Sequence, residues 1–280
     1  MSSNAAVYYH DDMDGFASAF AFYLYKEKDF DKVFYEPINH GDVMPIDKVD
    51  KLIFLDFCPP EEDVKTYIKN GFNLIIIDHH ASKKDIYDKY RDKCEFVYDI
   101  KHAGCELTRQ HFTSNSQYQQ LFKYIEDRDL WKFKYPETKP VHAALLCLPK
   151  DFKLWAKQFQ IHDGLVKIYL KGRNILEYQD YLVKEIAKNA IITDWPFEPH
   201  NKNYTILSVN TSILASEVCD YLLFEDERKV DFVAAFNFEY KKMRWQLRSR
   251  DDFDVSEIAK INDGGGHRNA AGFVIDYNED

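Results

Sequence analysis

The sequence has little of several features that define whole classes of protein. Its 280 residues carry 37 Lys and Arg against 47 Asp and Glu, a formal charge of −10, so the chain lacks the overall positive field that holds long nucleic acid. No run approaches the ~20 apolar residues that span a bilayer. The five cysteines are odd in number and show no Cys-x-x-Cys spacing, which favours reduced thiols over a disulfide framework or a zinc site. We therefore expect a cytoplasmic protein with no membrane partner and no long duplex nucleic acid as ligand.

The first half of the chain has the pattern of an α/β fold. Short apolar runs of strand length alternate with helical patterns, and the clearest runs are Leu52–Leu55 and Asn73–Ile77. Continuously apolar strands that alternate with helices are typical of a mostly parallel sheet covered by helices on both faces. The sequence therefore predicts such a sheet in the N-terminal part of the chain.

The rest of the chain indicates a helical connector and a second domain. From about residue 103 the pattern is mainly helical, and it ends in a long helical stretch over roughly residues 163–191. A polar, proline-broken segment follows at residues 195–203, and strand signals resume at Tyr204. We predict a first domain over residues 1–194 that includes the connector, a linker over residues 195–203 and a smaller α/β domain over residues 204–280.

The first group of chemically capable residues lies where the first predicted strand passes into a helix. His10, Asp12 and Asp14 alternate there, and Gly15 allows a tight turn. One imidazole and two carboxylates at the active edge of a parallel sheet can form parts of two adjacent metal sites. The alternative is an acidic helix cap beside an unrelated histidine.

Two further groups follow predicted strands. Asp56 comes directly after one strand and can bridge two metals through its two oxygens, although an Asp in this position is often only a helix cap or turn former. Asp78, His79 and His80 follow the most apolar strand. There one imidazole can ligate a metal, the other can face the substrate or donate a proton, and Asp78 can fix the orientation of a ring. A purely structural role explains this triad less well.

The remaining candidates lie later in the chain. Asp127 and Asp129 belong to a charged run after an apolar helix face, which is normally a solvated helix end. They become candidates only because a metal site would need another carboxylate. The segment Gly264–Gly272 holds four of the ten glycines of the chain. Successive glycines allow backbone N–H groups to surround an anion, and His267 adds a side-chain donor; the alternative is a flexible turn before the last strand.

Together, these motifs resemble those of the DHH phosphoesterase superfamily, named after a triad that occurs here as Asp78-His79-His80. The opening His10-x-Asp12-x-Asp14 resembles the first motif of that family, Asp56 the second, and Asp127 the fourth, with Asp129 as the alternative. The C-terminal residues resemble the associated DHHA1 substrate-binding domain, on the evidence of the segments Leu247–Arg250 and Gly264–Phe273.

The resemblance implies a metal-dependent phosphoric ester hydrolase that acts in a cleft between two domains with two Mn²⁺ ions, Mg²⁺ being less favoured for mixed His and Asp ligands. It implies one metal held by His10, Asp12 and Asp56 and a second held by Asp14, Asp56, His79 and Asp127. It places His80, with Asp78, beside the scissile phosphate. It assigns the binding of a substrate phosphate to Arg248, Gly264, Gly265, Gly266 and His267.

The function expected from these features is that of a phosphodiesterase of the nanoRNase kind. It would hydrolyse short single-stranded oligonucleotides to nucleoside monophosphates with a bridging water activated between two metals. Two enzymatic alternatives keep the chemistry and change the substrate, to 3′-phosphoadenosine 5′-phosphate or to linear or cyclic dinucleotides. A non-catalytic nucleotide-binding module is a more distant alternative. The sequence leaves open RNA or DNA, substrate length, cleavage polarity and oligomeric state, a homodimer included.

Overall fold

A computed structural model describes residues 4–39, 41–42, 44, 49–161, 163–197 and 202–276. The chain divides into two compact units, residues 1–176 and residues 177–280. Each unit has its own sheet. Within the described residues, no helix is both long enough and apolar enough to cross a membrane.

Unit 1 is built on a parallel sheet. In chain order its described strands are β1 (Asn4–His10), β2 (Lys32–Ile38), β3 (Lys51–Leu55), β4 (Asn73–Asp78) and β5 (Glu95–Tyr98). Their order across the sheet is β2–β1–β3–β4–β5, and every pairing is parallel. The α/β fold with a parallel N-terminal sheet is therefore confirmed.

Helices cover both faces of this sheet, as its continuously apolar strands predict. The helices of unit 1 are α1 (Met13–Tyr25), α2 (Glu61–Lys69), α3 (Lys84–Tyr90), α4 (Gly104–Phe112), α5 (Gln119–Asp129), α6 (Thr138–Leu145) and α7 (Phe152–Gln160), and α8 (Gly164–Ala187) runs from unit 1 into unit 2. Because side chains alternate along a strand, Ile53 and Phe54 point to opposite faces. Ile53 belongs to the same buried apolar cluster as Phe20 of α1, and Phe54 to the same cluster as Val64 of α2.

Unit 2 contains a mixed sheet with helices on both faces. Its described strands are β6 (Ile191–Phe197), β7 (Lys202–Asn210), β8 (Phe232–Glu239), β9 (Lys242–Arg248), β10 (Gly265–His267) and β11 (Ala270–Asp276), in the order β10–β11–β9–β8–β7–β6. Helix α9 (Ala215–Phe224) shares an apolar cluster with Leu207 and Val233, and α10 (Val255–Ile261) shares another with Ile206 and Phe232. The end of α8 shares one of these faces with α9. The second, smaller α/β domain predicted from the sequence is thus present.

The segment predicted as a linker has a different structure. Trp195 and the two residues after it form the end of β6, which pairs antiparallel with β7 from Ile191↔Ser208 to Phe197↔Lys202. Residues 198–201, in the middle of the predicted linker, lie outside the described residues. Proline predicts irregular backbone, but Pro196 lies in β6 at the edge of the sheet, where its missing N–H breaks no ladder. Unit 2 begins earlier than predicted, at Glu177 within α8.

Candidate metal centre

Polar side chains gather at one edge of the unit 1 sheet. Strand β1 ends at His10, β3 ends just before Asp56, and β4 ends at Asp78. These three strands are neighbours in the sheet. Because parallel strands end at the same edge, the residues that follow them lie side by side. The carboxyl-terminal edge of the sheet therefore brings together candidates that are far apart in the sequence.

Asp56 lies at the centre of this group. Its Oδ2 is 3.7 Å from Nδ1 of His10, and its Oδ1 is 3.2 Å from Nε2 of His79. The side chain is 1% exposed, and the backbone has a φ of 53°, a conformation that non-glycine residues rarely adopt. The two oxygens of one buried carboxylate therefore face two different histidines, as expected of a ligand that bridges two cations.

The charge of Asp56 is maintained by those histidines. Burial acts to raise the pKa of the carboxyl, but the interactions with His10 and His79 outweigh it and hold the pKa well below its usual range. Asp56 is therefore ionised in the folded protein.

A first ligand group contains His10, Asp12 and Asp56, whose ligand atoms all lie within 4.8 Å of one another. Nδ1 of His10 is 2.8 Å from Oδ2 of Asp12, while Oδ1 of Asp12 accepts a hydrogen bond from the N–H of Gly15 and caps α1. Burial acts to lower the pKa of His10, but the interactions with Asp12 and Asp56 outweigh it and raise the pKa to about 11. In the absence of a cation, a proton on His10 balances these carboxylates.

A second ligand group contains Asp14, His79 and Asp129, again within 4.8 Å of one another. Nε2 of His79 lies 3.7 Å from Oδ2 of Asp14 and 3.6 Å from Oδ2 of Asp129. Burial opposes protonation of His79, but its hydrogen bond to Asp56 outweighs this effect and raises the pKa to about 10. Burial, with the charges of Asp56 and Asp129, raises the pKa of Asp14 well above its ordinary value. Such crowding of carboxylates is stable when positive charge lies among them.

The first turn of α4 holds Asp14 in place. The N–H of Gly104 donates to Oδ2 of Asp14 over 2.7 Å, and the N–H of Cys105 donates to Oδ1 over 3.0 Å. These are unpaired donors of a helix start, where the helix dipole also favours negative charge. A Cβ on Gly104 would lie 2.6 Å from Cβ of Asp56, so only glycine fits between the two carboxylates.

Sequence reasoning missed Gly104, because a single glycine outside the glycine-rich segment carries no motif. The signal that could have identified Gly104 is its position at the start of a helix. Glycine is favoured just after the end of a helix, so a glycine in the first turn suggests a close approach of another group.

Asp127 and Asp129 have different surroundings. The sequence leaves open which of the two is the metal ligand. Oδ1 of Asp127 accepts from the N–H of Lys134 over 2.9 Å, and Oδ2 accepts from the N–H of Tyr135 and the hydroxyl of Thr138 over 3.3 and 2.5 Å. Asp127 is thus engaged by the segment after α5, whereas Asp129 faces His79. Residues two apart on a helix point in different directions, so one helix end cannot aim both at the same ion. The geometry favours Asp129 as the ligand.

The remaining residues of the triad form a fixed pair. Oδ1 of Asp78 accepts from the N–H groups of His79 and His80 and lies 2.7 Å from Nδ1 of His80. Burial acts to lower the pKa of His80, but the charge of Asp78 outweighs it and raises the pKa. The pair therefore orients the imidazole and favours its protonated form, which can donate a proton. A ring nitrogen of His80 also lies within 4.8 Å of ligand atoms of Asp56 and His79, so these three residues form a further candidate ligand group. Asp11, in contrast, lies beside Lys150, with 2.6 Å between Oδ1 and Nζ.

The candidates in unit 2 lie on one end of its sheet. Gly265, Gly266 and His267 form β10, which pairs antiparallel with β11, so this part of the glycine-rich segment is a short strand. Ala270 of β11 is opposite His267 on one side and opposite Arg248 of β9 on the other. Directly opposed residues point to the same face, so His267 and Arg248 share a face. The Arg248 guanidinium donates to the hydroxyl of Ser216 over 2.8 Å.

Comparison in sequence identifies two known domain types. Residues 4–135 match the family described as the DHH family, N-terminal domain. Residues 201–280 match the family described as the DHHA1 domain. An uncharacterised protein of Acanthamoeba polyphaga mimivirus is 27% identical over 281 residues, which cover 94% of this chain. The chain spans 65% of the length of that relative.

The solved structures of similar fold include one described with a bound metal ion and one described by its enzymatic activity. RecJ of Thermus thermophilus, in complex with Mn²⁺, has a TM-score of 0.55 and 13% identity, over 98% of this chain and 50% of its own. A pGpG-specific phosphodiesterase of Vibrio cholerae has a TM-score of 0.52 and 11% identity, over 98% of this chain and 94% of its own. At these sequence identities, the similarity shows only that the chain has the same fold as these proteins.

Proposed function

The chain belongs to the DHH phosphoesterase superfamily and carries a DHHA1 domain, and on this basis we propose that it is a Mn²⁺-dependent phosphodiesterase of short single-stranded oligonucleotides. The products would be nucleoside monophosphates. One observation carries the proposal, namely the position of Asp56, whose two oxygens each face a different histidine. This is the donor arrangement that a pair of adjacent cations requires.

The donor set supports two cation sites that share one carboxylate. We assign one site to His10, Asp12 and Asp56, and the other to Asp14, Asp56, His79 and Asp129. Mixed imidazole and carboxylate donors suit Mn²⁺ better than Mg²⁺, which favours oxygen alone. Bound cations would neutralise the phosphoryl oxygens and provide a hydroxide for attack on phosphorus.

The side chains around these sites have distinct tasks in the proposed reaction. Asp56 would serve both cation sites, and Gly104 keeps Asp14 in its position. His80, oriented by Asp78, donates a proton to the leaving oxygen. In unit 2, we propose that the substrate phosphate is bound by Arg248, Gly264, Gly265, Gly266 and His267.

The negative charge of the protein is the reason for proposing a short substrate. A net charge of −10 disfavours a long polyanion, whereas two divalent cations supply local positive charge for one or a few phosphodiesters. The similar V. cholerae structure is a pGpG-specific phosphodiesterase, which makes a linear dinucleotide the second candidate substrate. The reduced state expected of the cysteines supports a cytoplasmic location.

The test is turnover of a defined substrate panel. The protein is incubated with Mn²⁺ and RNA dimers to pentamers, pGpG or 3′-phosphoadenosine 5′-phosphate, and released nucleotides are separated by chromatography. We expect mononucleotides from the oligonucleotides, complete loss of activity in Asp56→Ala, and normal activity in Asp88→Ala, a matched change of an exposed carboxylate on α3. In His267→Ala we expect a higher KM. Absence of product from every substrate, over a range of pH and metals, would refute the proposal.

A further inference from the structure

The segment after Asp129 places two aromatic rings among cations. The ring centroids of Trp131 and Phe133 are 4.8 Å apart, with the ring planes at 74°. The guanidinium carbon of Arg128 lies 4.1 Å from the Trp131 centroid, and Nζ of Lys139 lies 4.7 Å from the Phe133 centroid. We call Arg128, Trp131, Phe133 and Lys139 the aromatic–cation cluster.

This cluster differs from its surroundings in packing and charge. Trp131, Phe133, Leu130 and Tyr135 are all partly exposed, but among them Leu130 and Tyr135 belong to the residues that pack against the apolar core of unit 1. Residues 128–139 contain four Lys and Arg (128, 132, 134 and 139) and two acids (129 and 137), a net charge of +2 in a chain of −10. The segment is therefore a local positive surface with accessible aromatic rings.

The backbone of the segment is held in an unfavourable conformation. Trp131 has a φ of 53° and Phe133 a φ of 47°, both in the left-handed region that bulky residues avoid. Asp127 imposes it, because its carboxylate accepts hydrogen bonds from the N–H groups of Lys134 and Tyr135, and its carbonyl oxygen accepts from the N–H of Phe133. Such conformations persist where the surroundings impose them, and they concentrate at functional sites.

The segment lies beside the metal centre. Trp131 is two residues from Asp129, so their Cα atoms are at most about 7.6 Å apart. Nζ of Lys132 donates to the carbonyl oxygen of Lys101 over 3.1 Å, in the loop that leads to α4 and its contacts with Asp14. A base attached to a phosphate at the metal centre is therefore within reach of the cluster.

We propose that the aromatic–cation cluster binds a nucleobase of the substrate, an inference that rests on the proposed function for the position of the phosphate. Aromatic faces and a guanidinium plane stack on any base, so this site recognises a base without selecting its sequence. Asp127 acts as a positioning residue that holds the rings in place.

The test compares two ligands that differ only by the base. Binding of adenosine 5′-monophosphate and of ribose 5-phosphate to the full chain with Mn²⁺ is measured by calorimetry. Base stacking strengthens binding by about fivefold to a hundredfold, so we expect a preference of that size for adenosine 5′-monophosphate. Trp131→Asn should abolish the preference, because it removes the ring while asparagine tolerates a left-handed backbone. Trp131→Phe should keep most of it.

The matched control is Phe34→Ala. Phe34, on β2, is 40% exposed and also has a lysine over its ring, with Nζ of Lys32 4.2 Å from the centroid. This variant should keep the full preference. Equal binding of the two ligands by the unaltered protein, or an unchanged preference in Trp131→Asn, would overturn the proposal. A variant that folds poorly loses affinity for both ligands, so the ratio separates misfolding from loss of the site.

Turnover of an RNA dinucleotide separates this proposal from the function on which it rests. Absence of turnover, with a preference that depends on Trp131, would refute the proposed function and support the nucleobase site. Turnover with an unchanged preference in Trp131→Asn would support the function and refute the site.

Discussion

Binding of Mn²⁺ to the metal centre of unit 1 should release about two protons from its histidines at pH 8. The pKa of His10 is raised to about 11 and that of His79 to about 10, because their hydrogen bonds to carboxylates outweigh the effect of burial. A group with a pKa of 10 is about 99% protonated at pH 8. An imidazole must lose its proton to ligate a metal, so each histidine releases about one. Histidines of ordinary pKa would together release only about 0.06.

The pH dependence follows from the same pKa values. Protons compete with metal for both rings, so the apparent affinity for Mn²⁺ should rise steadily between pH 6 and pH 9. The stability of the metal-free protein depends on pH in the opposite direction, because it falls as the pH rises. Because the folded pKa values exceed the ordinary value of 6.5, the protonated rings stabilise the fold fully below that pH, and this stabilisation is lost as the pH rises through about 10.

Calorimetric titration in Hepes and in Tris measures the proton release, because the two buffers differ in ionisation enthalpy. A water that loses its proton on binding and the carboxyl of Asp14, whose pKa is raised, each add up to one more. His79→Asn should release about one proton fewer than the unaltered protein. His111→Asn should release the same number, since His111 lies beside Glu95, with 3.0 Å between Nε2 and Oε1, outside the ligand groups. Release below about 0.5 proton, or no change in His79→Asn, would refute the assignment of the histidines.

Three further predictions concern the metal centre and the residues that support it. Gly104→Ala should lower the free energy of unfolding by about 1–3 kcal/mol and reduce Mn²⁺ affinity by about 10- to 100-fold, because the new Cβ displaces Asp56. Urea unfolding measures the first effect and metal titration the second. An unchanged Mn²⁺ affinity would contradict the proposed role of Gly104. Asp129→Asn should weaken Mn²⁺ binding by a similar factor at nearly unchanged Tm. Asp127→Asn should instead lower stability by about 1–3 kcal/mol with Mn²⁺ affinity kept, and the reverse pattern would restore Asp127 as the ligand.

The framework of both units could be predicted from the sequence because the signals are local. Leu52–Leu55 and Asn73–Ile77 are apolar runs of strand length, and both lie in strands of the parallel sheet. The position of Asp56 and Asp78 after such strands places them at one edge, since the ends of neighbouring parallel strands meet there. Residues 195–197, predicted as linker, are strand because a proline at the edge of a sheet removes no ladder hydrogen bond, so proline alone does not exclude a strand there.

Other features depend on side-chain direction and on contacts between distant segments. The choice between Asp127 and Asp129 is set by the rotation of α5 and by the loop that folds back onto Asp127, and neither leaves a signal in a four-residue charged run. Gly104 is required by the approach of Asp56, a residue 48 positions earlier in the chain. The left-handed backbone at Trp131 likewise arises from hydrogen bonds with neighbours, against the preference of the residue itself.

The metal centre takes its side chains from distant parts of the chain, between His10 and Asp129. The unfolded chain has no comparable site, so an ion that binds here binds the folded state alone. Such selective binding adds to the free energy of unfolding, by about 2.7 kcal/mol when the free ion exceeds its dissociation constant a hundredfold. If the proposed centre binds divalent ions, their supply would set the amount of folded protein as well as the rate of the proposed reaction.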